Sequence, residues 1–410
     1  MQKADDRAGW ASAGLQAARV HNRSKCDNMF FMSAMKNLPP INKRRLLNTF
    51  IDLIKINSPS FDEKKIGNYL AQRLTKAGCS VRFHDYGRSF NLVAILKGNR
   101  KSPPLMLSAH MDTIEPTTGI SFAVESDRVR STGNTVLGAD DKSALAQILE
   151  AVTLLHEHNV PRGDIEIVFS SAEEKGLLGA RHLDFENIIS KHALILDAGG
   201  SVGNIVVSAP THLRYSMTVT GRSAHAGMEP EKGINSIKVA AAIISAVPDG
   251  RIDGETTANI GIIEGGTATN VVAKETFVQG EIRSHNRKTL AATKKAIFEK
   301  ARKTVAKYNA RLTITNDLEY TAFKIPKTQP FLKYMSGVFR EFGIEPNLVK
   351  TGGGSDANVF HQKGIMAVNI SNGMQKVHSP EEFILLDDLY NGCAITLMAA
   401  SDFKLPAGTR

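Results

Sequence analysis

The 410-residue chain has little of what builds small cross-linked folds or membrane spans. Cysteine occurs three times, at Cys26, Cys79 and Cys393, scattered and odd in number, with no CxxC pair. That usage fits a reducing compartment and excludes a disulfide scaffold or a cysteine-based zinc finger. No apolar run approaches the roughly 20 residues of a membrane-spanning helix, so no membrane partner is expected. Internal repeats and low-complexity tracts are missing too. With 42% hydrophobic and 22% charged residues, the composition excludes a disordered or fibrous class. The length suffices for two domains, and a cytoplasmic location is expected.

Acidic residues are in the minority: 41 Asp and Glu stand against 51 Lys and Arg, a net charge of +10. Much of the excess lies in one stretch, from Arg287 and Lys288 through Lys294, Lys295, Lys300, Arg302 and Lys303 to Lys307. Leu290, Ile297, Phe298, Ala301 and Val305 interleave at helical spacing, so the charges read as the solvated face of a helix. No aromatic-interleaved basic loop accompanies them, and no nucleic-acid partner is expected.

Residues 1–34 lack strong periodicity and read as a disordered extension or a mis-assigned start. From residue 42 the pattern is α/β. Ser60-Phe61-Asp62-Glu63 has capping-box spacing ahead of a helix carrying Ile66, Leu70 and Leu74. Apolar strands then alternate with helices, which predicts a doubly wound, largely parallel sheet. After Pro210 the strands alternate apolar and polar residues. Two helices on a four-stranded antiparallel sheet is the simplest assembly of these pieces. The expected organisation is a catalytic domain of residues 35–211 and 323–410, with 212–322 inserted as an α+β lid.

Five segments place metal-ligating side chains where strands should end: His110 and Asp112 in LSAHMDT, Asp140 and Asp141 in LGADDKSA, Glu173 and Glu174 in SSAEEKG, Asp197 in LILDAGG, and His378 in KVHSPEEF. Each alone reads as a polar loop or a helix start. Together they crowd acid at the carboxyl ends of apolar strands, where open α/β sheets bind ligands. Such repulsion calls for cations. In the HxD pair both side chains point the same way, so one can bind a metal while the other orients the ring. With His110, Asp140, Glu174, Asp197 and His378 as ligands, three negative charges meet two divalent ions and one hydroxide in balance. Zinc suits this mixture, with cobalt or manganese as substitutes. One member of the glutamate pair is left for proton transfer.

HMD, GADDK, SSAEEKGLLGA, DAGG, GRSAHAG and HSPEE together resemble the dinuclear-zinc exopeptidase and aminoacylase family, from about residue 40 to the end of the chain. The branch most similar is that of peptidase T. The resemblance implies that His110, Asp140 and Asp197 hold one zinc, and Asp140, Glu174 and His378 the other. It implies Glu173 as general base, Asp112 as the residue orienting His110, and a cis Asp140–Asp141 bond. It also makes the insertion a lid through which a homodimer could form. The lid would supply His225 for the oxyanion, with Asn270 and Arg283 on the substrate's carbonyl or carboxylate. Gly352, Gly353 and Gly354 would offer backbone N–H groups. One departure stands out: the Gly-rich TGGGSDAN lacks the arginine that this segment carries in peptidase T.

The expected activity is metal-dependent hydrolysis of an amide bond in a tri- or dipeptide, cleaved from the amino end. An N-acyl amino acid deacylase, a carboxypeptidase of the same family and a non-catalytic binding protein on the same fold are the alternatives.

Overall fold

Strands buried on both faces read as unbroken apolar runs, whereas a sheet with one polar face alternates. Both textures are present in the computed structural model, which describes residues 38–401, 403 and 404; the expectation for residues 1–34 lies outside them. Helices α1 (Lys43–Lys55) and α2 (Lys64–Lys76) precede strands β1 (Ser80–Tyr86), β2 (Ser89–Leu96) and β3 (Leu105–His110). Strands β4 (Phe122–Val124) and β5 (Arg128–Ser131) follow, then helix α3 (Ala139–Glu157), strand β6 (Ile165–Ser170), the single-turn α4 (Leu178–Arg181) and strands β7 (His192–Ala198) and β8 (Asn204–Ala209). Next come β9 (Thr211–Thr220), α5 (Ser236–Ala246), β10 (Gly250–Asp253), β11 (Thr256–Gly265), β12 (Glu275–Ser284), α6 (Arg287–Lys307) and β13 (Arg311–Tyr320). The chain closes through β14 (Phe323–Lys324), α7 (Pro330–Glu341), β15 (Asn347–Lys350), α8 (Asp356–Gln362), β16 (Met366–Ser371), β17 (Met374–Gln375), β18 (Phe383–Leu385) and α9 (Leu386–Ser401).

The main sheet runs β1-β2-β6-β3-β7-β16-β8-β14, with β15 also on β8. It is mixed rather than largely parallel. The parallel block is β6-β3-β7-β16, while β1, β2 and β14 join antiparallel, as does β8 to β16. The reason is local: β1 and β2 form a hairpin across Gly87-Arg88, a link too short for the crossover a parallel pair needs. Strands β3 and β6 are buried at every residue, and so is most of α3, which packs against the sheet, α1 and α9.

The segment from Thr211 to Tyr320 makes a separate antiparallel sheet, β10-β11-β12-β9-β13, with α5 and α6 packed on it. The sequence leads one to expect four strands; the fifth, β10, is a four-residue edge strand in VPDGRIDGE, where two Asp-Gly steps read as turns. Leu213, Tyr215, Met217 and Val219 of β9 meet Val239, Ile243, Ile297, Phe298 and Val305 of the helices in one core. The lysines of α6 lie outside it: Lys295, Lys300, Lys303 and Lys307 are exposed. Among the described residues no helix is long and apolar enough to cross a membrane.

Candidate metal centre

His110 is the last residue of β3 and is fully desolvated, as is Asp112 two residues on. The ring faces the backbone carbonyl of Asp112, 2.8 Å from Nδ1, more closely than its carboxylate at 3.5 Å. Carbonyl and carboxylate of Asp112 thus both stand beside Nδ1. The carboxylate oxygens accept the N–H groups of Glu173 (3.0 Å) and Glu174 (3.3 Å) and the Ser60 hydroxyl (2.7 Å). The same carboxylate therefore ties the His110 ring to the turn that carries the glutamate pair.

The other ring nitrogen, Nε2, lies 3.0 Å from Asp140 Oδ1 and 3.8 Å from Asp197 Oδ1. Asp140 turns its second oxygen the opposite way, to His378 Nε2 at 3.2 Å, and His378 lies 2.9 Å from Glu174 Oε1. The Asp140–Asp141 bond is cis. Asp141 is buried and accepts the His110 N–H (3.2 Å) and the Asn372 amide (2.8 Å). Asp197 is the penultimate residue of β7, where Asn369 of β16 bonds both its N–H and its carbonyl.

Glu173 and Glu174 sit on the short turn after β6. Ala172 opens it at φ 48°, a left-handed conformation a non-glycine residue needs support to hold. Glu63 provides some of that support, accepting the Ala172 N–H at 3.0 Å. The capping-box expectation for Ser60 and Glu63 is corrected here, because Ser60 serves Asp112 while Glu63 serves this turn and Ser89. Glu382, in HSPEE, plays a similar part for the Asp140 loop. It accepts the N–H groups of Leu137, Gly138 and Asp140.

The donors fall into triads whose ligand atoms lie within 4.8 Å of one another. His110, Asp140 and Asp197 form one, and Asp140, Glu174 and His378 another, so Asp140 is common to both. A third, His110 with Glu173 and Glu174, brings Glu173 beside the same centre. Burial, then the surrounding carboxylates, pushes the Glu173 and Asp197 carboxyls well above the usual range. His378, held by Asp140 and Glu174, rises to about 10. Acids raised by one another and imidazoles recruited as cations are what a donor set made for divalent ions should show without them. Five oxygen and nitrogen donors with one shared carboxylate fit two such ions.

A cavity of about 510 Å³ opens over these residues. Asp140, Glu173, Glu174, Asp197 and His378 line its floor, and its roof is the polar face of the lid sheet, including His212, Arg214, Glu281, Arg283, Glu319 and Tyr320. Two glycines allow the close approach. A Cβ on Gly354 would lie 2.2 Å from the Tyr320 ring, and one on Gly176 (φ +89°) would lie 2.9 Å from the Glu319 carboxylate.

Of the substrate contacts expected from the sequence, Arg283, Gly353 and Gly354 line this cavity. The Gly353 N–H is spoken for, however, donating to the Thr351 hydroxyl at 3.1 Å. His225 and Asn270 meet each other through the Ala226 N–H and the Asn270 carbonyl (3.0 Å), but both are exposed and neither lines the cavity. His212, Arg214 and Glu319 escaped the sequence reading. They sit at polar positions of alternating strands, which look like plain solvent-facing sites. Asp356 was also missed: it is buried, bonded to the Ser170 hydroxyl at 2.5 Å, and desolvation lifts its carboxyl to about 6.

Comparison with known proteins bears on this geometry. Residues 208–309 match the model of a peptidase dimerisation domain, and residues 91–225 match that of peptidase family M28. The uncharacterized protein YqjE of Bacillus subtilis is 37% identical over 358 residues, covering 85% of this chain and 95% of its own. The crystal structure of aminopeptidase PepT from Bacillus cereus is similar at a TM-score of 0.77 and 35% identity, covering 88% of this chain and 98% of that one. A tripeptidase from Staphylococcus aureus gives a TM-score of 0.82 at 32% identity, with 88% and 99% covered.

Proposed function

Because the chain belongs to the peptidase T-like branch of the dinuclear-metal exopeptidases, we propose that this metallopeptidase removes residues from the amino end of tri- or dipeptides, with zinc as its metal. The observation that carries the reading is a five-donor acidic centre and a guanidinium-bearing roof facing one another across a single cavity. In this reading residues 35–211 and 323–410 are the catalytic domain and 212–322 the lid.

Asp140 would be shared by two ions, with His110 and Asp197 holding one and Glu174 and His378 the other. Bound there, two divalent ions would polarise a peptide carbonyl and make a water more acidic. Glu173 takes the proton from the attacking water on its carboxylate and passes it to the departing amine. Its burial keeps the carboxyl out of bulk water between the two transfers. Asp112 and Glu63 keep the turn that carries Glu173 in place through its N–H groups. Arg283 grips a substrate carboxylate from the roof, and Gly354 lets Tyr320 close over it.

His225 and Asn270 reach the centre only after lid movement or from a second subunit, and the dimerisation-domain match favours the latter. Exposed Met228, Ile237, Ile263 and Val271 give the lid apolar surface for such a contact. His225 would then stabilise the oxyanion.

A panel of unblocked tripeptides, N-acyl amino acids and amino-blocked peptides, tested on zinc-, cobalt- and manganese-loaded protein, decides the matter. The reading expects release of the amino-terminal residue from unblocked tripeptides. Preferential cleavage of N-acyl amino acids would make the protein a deacylase, and metal uptake without turnover of any amide would make it a binding protein.

A further inference from the structure

The lid sheet has two unlike faces. Odd-numbered residues of β9 enter the core beneath α5 and α6, so the even-numbered His212 and Arg214 lie on the other face, over the cavity. On β12, Glu281 pairs across from Arg214 and Arg283 across from His212. On β13 the register shifts between Leu318 and Tyr320, and Glu319 joins the same group. The result is one unbroken chain of charges. Arg283 Nε is 2.8 Å from Glu281 Oε1, and Glu281 Oε2 is 2.9 Å from His212 Nε2. His212 Nδ1 is 2.7 Å from Glu319 Oε2, and Glu319 Oε1 is 2.9 Å from Arg214 Nη2. All five residues line the cavity.

A carboxylate oxygen stands against each ring nitrogen of His212. Glu281 lies beside Nε2 without hydrogen-bond alignment, but an anion on each side of the ring favours the imidazolium over the neutral form. Burial opposes that charge, but Glu281 and Glu319 outweigh it and hold the ring's affinity for protons above its ordinary value. Three cations then stand against two anions. Both carboxylates are engaged inside the chain, which leaves no anion in it to receive a substrate ammonium. The Arg214 side chain contacts Glu319 while remaining 46% exposed. The surplus of this roof is positive, opposite a floor rich in acid.

We infer that His212 is a positioning residue which, through Glu281 and Glu319, aims Arg283 and Arg214 together at the free C-terminal carboxylate of a short peptide. Two guanidiniums offer more N–H donors to one carboxylate than either can alone, and each fork matches its geometry. The inference rests on the proposed peptidase reading for the identity of the ligand. It adds Arg214 and His212 to the recognition of that ligand and commits the substrate to a free carboxyl end.

The test pairs one tripeptide with its C-terminal amide and uses wild type, His212→Gln and Arg214→Ala. Steady-state kinetics are read alongside calorimetric binding of the product dipeptide and its amide to the metal-loaded proteins. Wild type should favour the free acid. Either substitution should raise KM, and the product's dissociation constant, about 10–100-fold for the acid, the scale of one lost charge-assisted bond. Neither should move kcat by more than a few-fold or change affinity for the amide. A wild type that binds acid and amide alike, or variants that lose equally on both, would overturn the inference. Binding is measured whether or not any peptide is cleaved, so loss of the peptidase reading shows separately as absent turnover. Arg214→Ala alters an accessible side chain and carries the test alone should His212→Gln not fold.

Discussion

Replacing Glu382 by alanine removes the acceptor for three buried backbone N–H groups at once. The carboxylate is 1% exposed, and its oxygens lie 2.7, 2.8 and 3.0 Å from the nitrogens of Leu137, Gly138 and Asp140. An unpaired buried donor costs roughly 1–3 kcal/mol, so three would cost about 3–9 kcal/mol if all stayed dry. The deletion also vacates space among polar groups, and water entering it would restore part of the loss. A net destabilisation of about 3–5 kcal/mol is therefore expected. Glutamine keeps one carbonyl oxygen for the Leu137 and Gly138 pair but sets its amide against the Asp140 N–H, for about 1–3 kcal/mol. Because Asp140 is the carboxylate common to both donor triads, its misplacement should also weaken metal binding by about 10–100-fold. Urea unfolding followed by far-ultraviolet circular dichroism, first in chelator, isolates the first effect. Titration of the apo-protein with zinc or cobalt isolates the second. An alanine variant with the wild-type midpoint and the wild-type metal affinity would refute the reasoning.

Metal analysis after gentle purification should find two divalent ions per chain, and chelation should lower the unfolding midpoint until zinc, cobalt or manganese is restored; a well-folded preparation that takes up none of them would end the metal assignment. His225→Ala should lower kcat about 10²–10³-fold with little change in KM, as for one lost oxyanion donor, whereas Arg283→Ala should act chiefly on KM. Steady-state kinetics at matched metal content separate the two, and an unchanged kcat for His225→Ala would reduce the lid to an enclosure. Glu281 is held down to about 2 by its ion pair with His212, and by Arg283, against the opposing effect of burial. A carboxyl depressed by folding lends stability above its unfolded value of about 4.5 and loses it as pH falls toward 2, so Glu281→Gln should flatten that part of the acid unfolding curve. Equal slopes for variant and wild type between pH 4.5 and 2 would contradict the ion-pair chain.

The convergence of His110, Asp140, Glu174, Asp197 and His378 was legible because each stands where a buried apolar strand or a Gly-bounded loop ends. There acid has no structural use unless something cationic joins it. The parallel block was legible for a similar reason, since β3, β6 and β7 read as continuous apolar runs. What escaped is what a one-dimensional pattern leaves ambiguous. Ser60 and Glu63 have the spacing of a helix cap, but spacing does not reveal that Asp112 and the Ala172 turn lie closer in space and compete for the same oxygens. His212 and Arg214 follow the alternation of a half-exposed strand, and nothing in that alternation distinguishes a face turned to water from one turned to a cavity. Strand β8 reads as a loop-flanked apolar stretch, and its strand partners, Phe323, Val349 and Ile370, lie more than 110 residues away. Charged residues clustering on one face of paired strands, Glu281 and Arg283 opposite Arg214 and His212, were the available signal. It needed the register to be seen.

Glu173→Gln tests the central claim most directly. The amide nearly preserves shape, and the five donors of the two triads that share Asp140 are untouched, yet it cannot accept a proton from water. Turnover of an unblocked tripeptide should fall about 10²–10⁴-fold while two metal ions per chain are retained, and Glu174→Gln should instead lose metal first. Near-normal turnover by a fully metal-loaded Glu173→Gln protein would contradict the assignment of the proton carrier and, with it, the mechanism.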